Sequence, residues 1–209
     1  VFVLSSTIDR MRILLTHEQA DFDALASLLG ASLLDDEAIP LLPRRMNRNV
    51  RAFVTLYGAE LPFVDGRDLP SEVVEALTLV DTQSMVTIKG VGANTPVQVV
   101  DHHPPRADLP PHWQVTSESV GATVTLFVEE LEERDIPLGM VQATLLVLGI
   151  YEDTGSLTYS RTTARDLQAA AYLVEHGANL RLAVDFINHP LSLAQQALYE
   201  SLRASAKHH

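Results

Sequence analysis

Short apolar runs alternate with stretches in which apolar residues recur every three or four positions along most of this 209-residue chain. Residues 12–16 read as a first buried strand, and the helical spacing that follows predicts a helix over 23–34. Residues 39–42 predict a second short strand and 47–57 a second helix. Further strands are expected at 77–80 and 97–100, each bounded by polar residues, with an edge strand at 113–116. The pattern then turns helical, at 120–134, 138–151, 164–176, 180–188 and 193–204, punctuated by Pro137 and Gly155. Strands separated by helices predict an α/β fold, a mainly parallel sheet with helices on both faces and a helical C-terminal extension. Ligands of such sheets collect beyond the C-terminal ends of the strands, which says where chemistry should lie.

Hydrophobic residues make up 46% of the chain and charged residues 20%, with mean hydropathy +0.09, which suits a packed globular protein and argues against disorder. No apolar run approaches the roughly 18 residues of a membrane span, and the opening 1–6 is too short for a secretory signal. Cysteine is absent, which excludes disulfides, thiolate zinc sites and a cysteine nucleophile, and fits a cytoplasmic location. With 15 basic against 27 acidic residues the net charge is −12, so non-specific nucleic-acid binding through the phosphate backbone is disfavoured. Lys207, His208 and His209 look like the start of a purification tag and carry no functional reading.

The strand ends converge on one type of chemistry. His17, Asp21 and Asp23 follow the first strand, Asp81 follows the third, Asp101, His102 and His103 follow the fourth, and Asp153 follows the long helix over 138–151. Taken singly, each has a plainer explanation. Asp21 and Asp23 suit helix capping, His17 a strand-end cap, and Asp153 a turn before Gly155. Taken together on one sheet edge, Asp21, Asp23, Asp81 and Asp153 would crowd four negative charges into a cleft, which is prohibitive without neutralisation. Two divalent cations supply that charge, and carboxylate–imidazole ligands suit Mn²⁺ or Mg²⁺. Paired metals polarise a phosphoryl oxygen and activate water, so phosphoester or phosphoanhydride hydrolysis is the implied reaction.

The segments His17-Glu18-Gln19-Ala20-Asp21-Phe22-Asp23, Val80-Asp81-Thr82, Asp101-His102-His103 and Gly149-Ile150-Tyr151-Glu152-Asp153-Thr154-Gly155 resemble, in order, the four motifs of the DHH phosphoesterase superfamily. That group includes RecJ exonucleases, oligoribonucleases that also act on phosphoadenosine phosphate, cyclic-dinucleotide phosphodiesterases and family II pyrophosphatases. Ser119-Val120-Gly121-Ala122-Thr123 also looks like a family segment. The resemblance implies a five-stranded sheet, one metal held by His17, Asp21 and Asp81, and another by Asp23, Asp81, His102 and Asp153, with Asp81 bridging. It further implies that Asp101 orients a neighbouring imidazole and that His103 faces the substrate phosphate as the hydrogen-bond or proton donor. Ala20 stands where many members have Pro, a change confined to the helix entry. The second domain that usually carries the substrate clamp is not evident, so residues 1–190 are expected to form the catalytic domain and 191–209 a linker helix plus tag remnant.

Phe22 together with the segment Arg44-Arg45-Met46-Asn47-Arg48-Asn49-Val50-Arg51 is most similar to DHH domains fused to CBS modules and a tRNA nucleotidyltransferase or poly(A)-polymerase-like domain. That implies RNA or tRNA as the partner of the whole protein, engaged through further domains. Arg44, Arg45 and Arg48 are candidate phosphate-binding residues, although runs of surface charge are more often simply solvated. The expectation is therefore an Mn²⁺-dependent two-metal phosphoesterase acting on short oligonucleotides, RNA 3′ ends or small nucleotides. A non-hydrolytic nucleotide- or RNA-binding module and an inorganic pyrophosphatase remain the alternatives, no membrane partner is expected, and homo-oligomerisation stays open.

Overall fold

The computed structural model describes residues 10–69, 73–187 and 193–206. The opening 1–6, Asn188 at the end of one expected helix, His189 and the tag-like 207–209 lie outside the described residues. Five strands, β1 (Arg10–Leu15), β2 (Ala38–Pro40), β3 (Val73–Val80), β4 (Val97–Asp101) and β5 (Gln114–Ser117), form one sheet in the order β2-β1-β3-β4-β5. Every pairing in it is parallel. The helices are α1 (Phe22–Leu34), α2 (Arg48–Tyr57), α3 (Thr123–Glu133), α4 (Met140–Thr154), α5 (Ala164–Glu175), α6 (Leu180–Ile187) and α7 (Leu193–Ser205).

Alternation along the strands splits the apolar residues between two faces. Leu14, Val80 and Val100 pack against Leu28 and Ala31 of α1 and Phe127 of α3. Behind α1 and α3 lies a second helical layer, where α4, α5 and α6 complete the main core with α2 through Phe22, Phe53, Leu145, Leu173 and Phe186. The opposite sheet face, with Ile13, Leu15, Leu77, Leu79 and Val99, is covered among the described residues by loop side chains including Val64, Leu69, Val86, Ile88 and Trp113. The reason is connectivity: 81–96 and 102–113, which join β3 to β4 and β4 to β5, contain no helix. The α/β class and parallel sheet follow the expected pattern, but among the described residues the helices, expected on both faces, pack on one, and loops cover the other.

Boundaries shift where polar residues find partners far away. The helix expected to stop at Tyr151 runs on to Thr154, because Glu152 accepts hydrogen bonds from the Phe22 backbone N–H and from Asn47 Nδ2. Gly155, at φ 55°, then ends it in the left-handed conformation that suits glycine. Gly149 permits the close crossing of α4 over α1, since a Cβ there would lie 2.7 Å from Ala26 Cβ and 3.0 Å from the Phe22 carbonyl oxygen. That crossing brings the end of α4 to the strand ends. None of the described helices is long and apolar enough to cross a membrane.

Candidate metal centre

All eight expected site residues meet at the C-terminal edge of the sheet. Asp21 caps α1, its Oδ1 accepting from the Ala24 N–H at 3.0 Å, so a helix-capping role and a place at the site coincide. Asp23, in the first turn of α1, is completely buried. Asp81 follows β3 at φ 53°, an uncommon conformation for a residue other than glycine, while its N–H donates to Val100 O at 2.9 Å. Asp101 closes β4, with His102 and His103 next, and Asp153 occupies the last turn of α4.

His17 Nε2 lies 3.9 Å from Asp21 Oδ1 and 3.5 Å from Asp81 Oδ2. His102 Nε2 lies 3.4 Å from Asp153 Oδ2 and 3.9 Å from Asp81 Oδ1. One ligand atom each from His17, Asp21 and Asp81 falls within 4.8 Å of the others, and the same holds for Asp23, His102 and Asp153. Asp81 therefore stands between two groups, with one oxygen toward each. The other half of the site is a hydrogen-bonded pair: Asp101 Oδ1 receives the His103 N–H at 3.0 Å and meets His103 Nδ1 at 2.8 Å.

These groups are short of positive charge. Burial, then the charges of Asp81 and Asp153, push Asp23 well above the usual carboxylate range. Burial, followed by Asp21, Asp81 and Glu152, pushes Asp153 up to about 7. Asp21 is raised chiefly by its burial as well. The hydrogen bond that His17 donates to the Asp81 carboxylate, opposed by burial, pushes His17 up to about 9. His102 gives a sharper test of what the site could hold. Its Nδ1 lies 3.2 Å from Val120 O, and a carbonyl can only accept, so Nδ1 carries the proton. Nε2 then presents a lone pair; it is buried and has no hydrogen-bond partner, with carboxylate oxygens of Asp153 at 3.4 Å and Asp81 at 3.9 Å. A lone pair facing carboxylates is repulsive by itself and suits a cation between them. The donor set, imidazole nitrogen with carboxylate oxygen and no thiolate, fits divalent Mn²⁺ or Mg²⁺.

The support for these side chains comes from the family-like segment 119–123 and from Asp166 and Gln83, which the sequence did not mark out. Asp23 accepts from the backbone N–H groups of Thr123 at 2.7 Å and Val124 at 2.8 Å, capping the start of α3 across 100 residues of chain. Thr123 Oγ1 donates to Asp81 Oδ1 at 2.8 Å and accepts from the His102 N–H at 3.2 Å. Asp166, buried, accepts from Gly121 N–H at 2.9 Å, Thr125 Oγ1 at 2.6 Å, Thr163 N–H at 2.6 Å and Thr163 Oγ1 at 2.7 Å. Gln83 Nε2 donates to Asp101 Oδ2 at 2.9 Å, and its Oε1 accepts from the Arg106 N–H at 2.8 Å.

Arg44, Arg45 and Arg48 stand differently. The backbone of this segment runs beside the first motif, with Ala20 N–H bonded to Arg45 O at 3.2 Å and Asn47 N–H to Ala20 O at 3.0 Å. The three side chains are exposed and form no ion pair among the described residues. Thr154 plays a turn role, its Oγ1 accepting from Leu157 N–H at 3.0 Å, and His176 contacts Tyr172 O at 2.8 Å.

No family model matches the chain. Over 204 residues, 94% of this chain, it is 36% identical to an A-adding tRNA nucleotidyltransferase of Geobacter sulfurreducens, of which it spans 23%. Over 90 residues, 43% of this chain, it is 37% identical to the bifunctional oligoribonuclease and PAP phosphatase NrnA of Mycoplasma genitalium, covering 28% of that protein. Over 216 aligned residues it is 29% identical to the cyclic-di-AMP phosphodiesterase PdeA of Listeria monocytogenes, covering 89% of this chain and 31% of that one. The chain thus spans about a quarter of the length of these curated relatives. An exopolyphosphatase-related protein from Bacteroides fragilis shares the fold, with TM-score 0.69 at 15% identity over 95% of this chain and 62% of that one.

Proposed function

We propose that this chain, which belongs to the DHH phosphoesterase superfamily, is a two-metal hydrolase of phosphodiester or phosphomonoester bonds in short oligonucleotides, RNA 3′ ends or small nucleotides. The observation that carries the reading is the buried, unpartnered His102 Nε2 set among carboxylates that drive one another toward protonation. His17, Asp21 and Asp81 would hold one ion and Asp23, Asp81, His102 and Asp153 the other, with Mn²⁺ favoured over Mg²⁺. Divalent ions there would supply Lewis-acid polarisation of a phosphoryl oxygen and acidify an attacking water. The chain's own groups do the rest. Asp81 is the shared ligand, and its Oδ1 is oriented by Thr123 Oγ1. Asp101 keeps the proton of His103 on Nδ1, so Nε2 is the nitrogen that meets a substrate oxygen; in its protonated form it donates to the leaving group.

Likeness to a tRNA nucleotidyltransferase supports an RNA 3′ end as the substrate and further RNA-binding domains as partners. Arg44, Arg45 and Arg48, whose backbone adjoins Ala20, would form the phosphate-binding rim. Residues 1–190 would form the catalytic domain and 191–209 a linker helix, a division supported by α7, where Leu193, Leu198, Tyr199 and Leu202 are all exposed.

The test is hydrolysis with and without Mn²⁺ of a generic phosphodiester, a short oligoribonucleotide, phosphoadenosine phosphate, a cyclic dinucleotide and pyrophosphate, beside calorimetric Mn²⁺ titration. Turnover that requires Mn²⁺ and disappears in Asp81→Ala is expected. In the titration, Asp81→Ala should lose tight binding of two ions, because the shared ligand serves both. Two tight Mn²⁺ sites persisting in Asp81→Ala would overturn the ligand assignment. Nucleotide binding without metal or turnover would favour a non-hydrolytic binding module.

A further inference from the structure

A cavity of about 950 Å³ opens beside His17 at the ends of β1 and β2. Its floor is apolar, formed by Leu15, Leu41, Leu69, Val86 and Ile88 on the loop-covered face of the sheet. Its margin carries Arg44, Arg67 and Lys89. Arg67 is tied to Asp65 at 2.8 Å, whereas Arg44 and Lys89 form no ion pair among the described residues. Against these three cations stand Glu18 and Asp65, so the lining keeps a positive excess on a chain whose net charge is −12. The wall toward the metal centre is Thr16 and His17. Thr16 is buried, and its Oγ1 has no hydrogen-bond partner.

We infer that this cavity seats the nucleoside of the substrate while its phosphate lies at the metal centre, an inference that rests on the function proposed above. Concave, mostly apolar sites of roughly 300–1,000 Å³ with a few convergent polar groups are the usual form of small-molecule sites. A nucleobase has two apolar faces and a polar edge, which matches an apolar floor with a cationic margin. Inorganic phosphate or pyrophosphate has no apolar surface to set against the cavity floor. His17 belongs both to the lining and to the expected ligand set, so a phosphate held there has its own nucleoside within reach of the floor. Arg44 and Lys89 then lie where an adjoining phosphate of a longer strand can meet them.

The experiment is calorimetric binding of AMP, ribose 5-phosphate and inorganic phosphate to the Mn²⁺-loaded chain, in the wild type and in two cavity-filling variants. Ile88→Trp fills the floor. Thr87→Trp fills the same cavity from an exposed lining position, outside the packed apolar face, with thermal melting reporting that each variant folds. In the wild type, AMP should bind about tenfold more tightly than ribose 5-phosphate, and both variants should bring that ratio near one. Equal affinity in the wild type, or a preference for AMP kept by both folded variants, overturns the cavity assignment while the hydrolase reading stands. Failure of the Mn²⁺-loaded wild type to bind any of the three overturns both.

Discussion

Asp166 offers the most direct check that the candidate centre is held from outside its own ligands. Its carboxylate is fully buried and takes four donors, two of them the backbone N–H groups of Gly121 and Thr163. Asp166→Ala leaves those donors without a partner. A stranded buried donor costs about 1–3 kcal/mol; Gly121 is buried, while Thr163 is partly exposed and can recruit water, so a loss of about 2–4 kcal/mol is expected. Asp166→Asn keeps one acceptor oxygen but turns an NH₂ toward a donor, and should cost about half as much. Against a stability of roughly 5–15 kcal/mol both variants stay folded, with Tm lowered by about 5–15 °C for the alanine form. The functional consequence is specific. The segment pinned by Asp166 supplies Val120 O to His102 and Thr123 to Asp23, Asp81 and the His102 N–H. Loosening such outer support typically costs about 10–100-fold in metal affinity, and that is the expected loss for Asp166→Asn in a Mn²⁺ titration. The pH dependence has a definite sign. Burial pushes Asp166 up, but the hydrogen bonds from Thr125, Thr163 and Gly121 outweigh it and hold it below the usual carboxylate range. Its contribution to stability is therefore present above the unfolded value near 4 and is lost as pH falls through the folded one. The gap between wild type and Asp166→Asn in urea midpoint should be constant from neutral pH down to about 4 and narrow below it. A variant with wild-type urea midpoint and wild-type Mn²⁺ affinity at pH 7 would refute the reasoning.

Two further substitutions probe separate parts of the fold. Gly149→Ala should destabilise by about 1–3 kcal/mol in urea unfolding, because the new methyl meets Ala26 Cβ at 2.7 Å; Gly139→Ala, whose nearest neighbour is Gln142 Oε1 at 3.4 Å, should be milder, and equal losses would contradict the close-crossing argument. Gln83→Ala removes the Nε2 bond that fixes Asp101 and the acceptor for Arg106 N–H, so kcat should fall about tenfold with KM little changed; a change confined to KM would place Gln83 in substrate binding instead.

The parts of the site legible in the sequence are those written locally. A carboxylate or histidine directly after an apolar run announces a strand end, which is how Asp81, His102 and His17 could be read. Parallel strands with intervening helices announce which edge they share. The supporting contacts are not local: Asp166 reaches Gly121 across 45 residues, Thr123 reaches Asp81 across 42, and Gln83 reaches Asp101 across 18. In sequence Asp166 is indistinguishable from an ordinary first-turn acidic residue, and it does cap α5 through Thr163. The same cause explains the underestimated length of α4, whose polar last turn is helical because Glu152 finds Phe22 and Asn47. The sequence offers no helical spacing in the third and fourth connections, 81–96 and 102–113, yet nothing local says that their apolar residues would cover one sheet face.

Asp23 and its neighbour Phe22 wait a long time for their partners during synthesis. Phe22 is bonded to Glu152, 130 residues later, and Asp23 to a helix start 100 residues later. At a synthesis rate of about 5–20 residues per second, α1 leaves the ribosome roughly ten seconds before the helix that covers it. During that interval a thirteen-residue helix with eleven residues destined for burial stands exposed, with a carboxylate in its first turn that has not yet met the backbone that will hold it. The ionised Asp23 then acts as a solubilising charge on the nascent segment, and becomes a buried one only when α3 and α4 arrive.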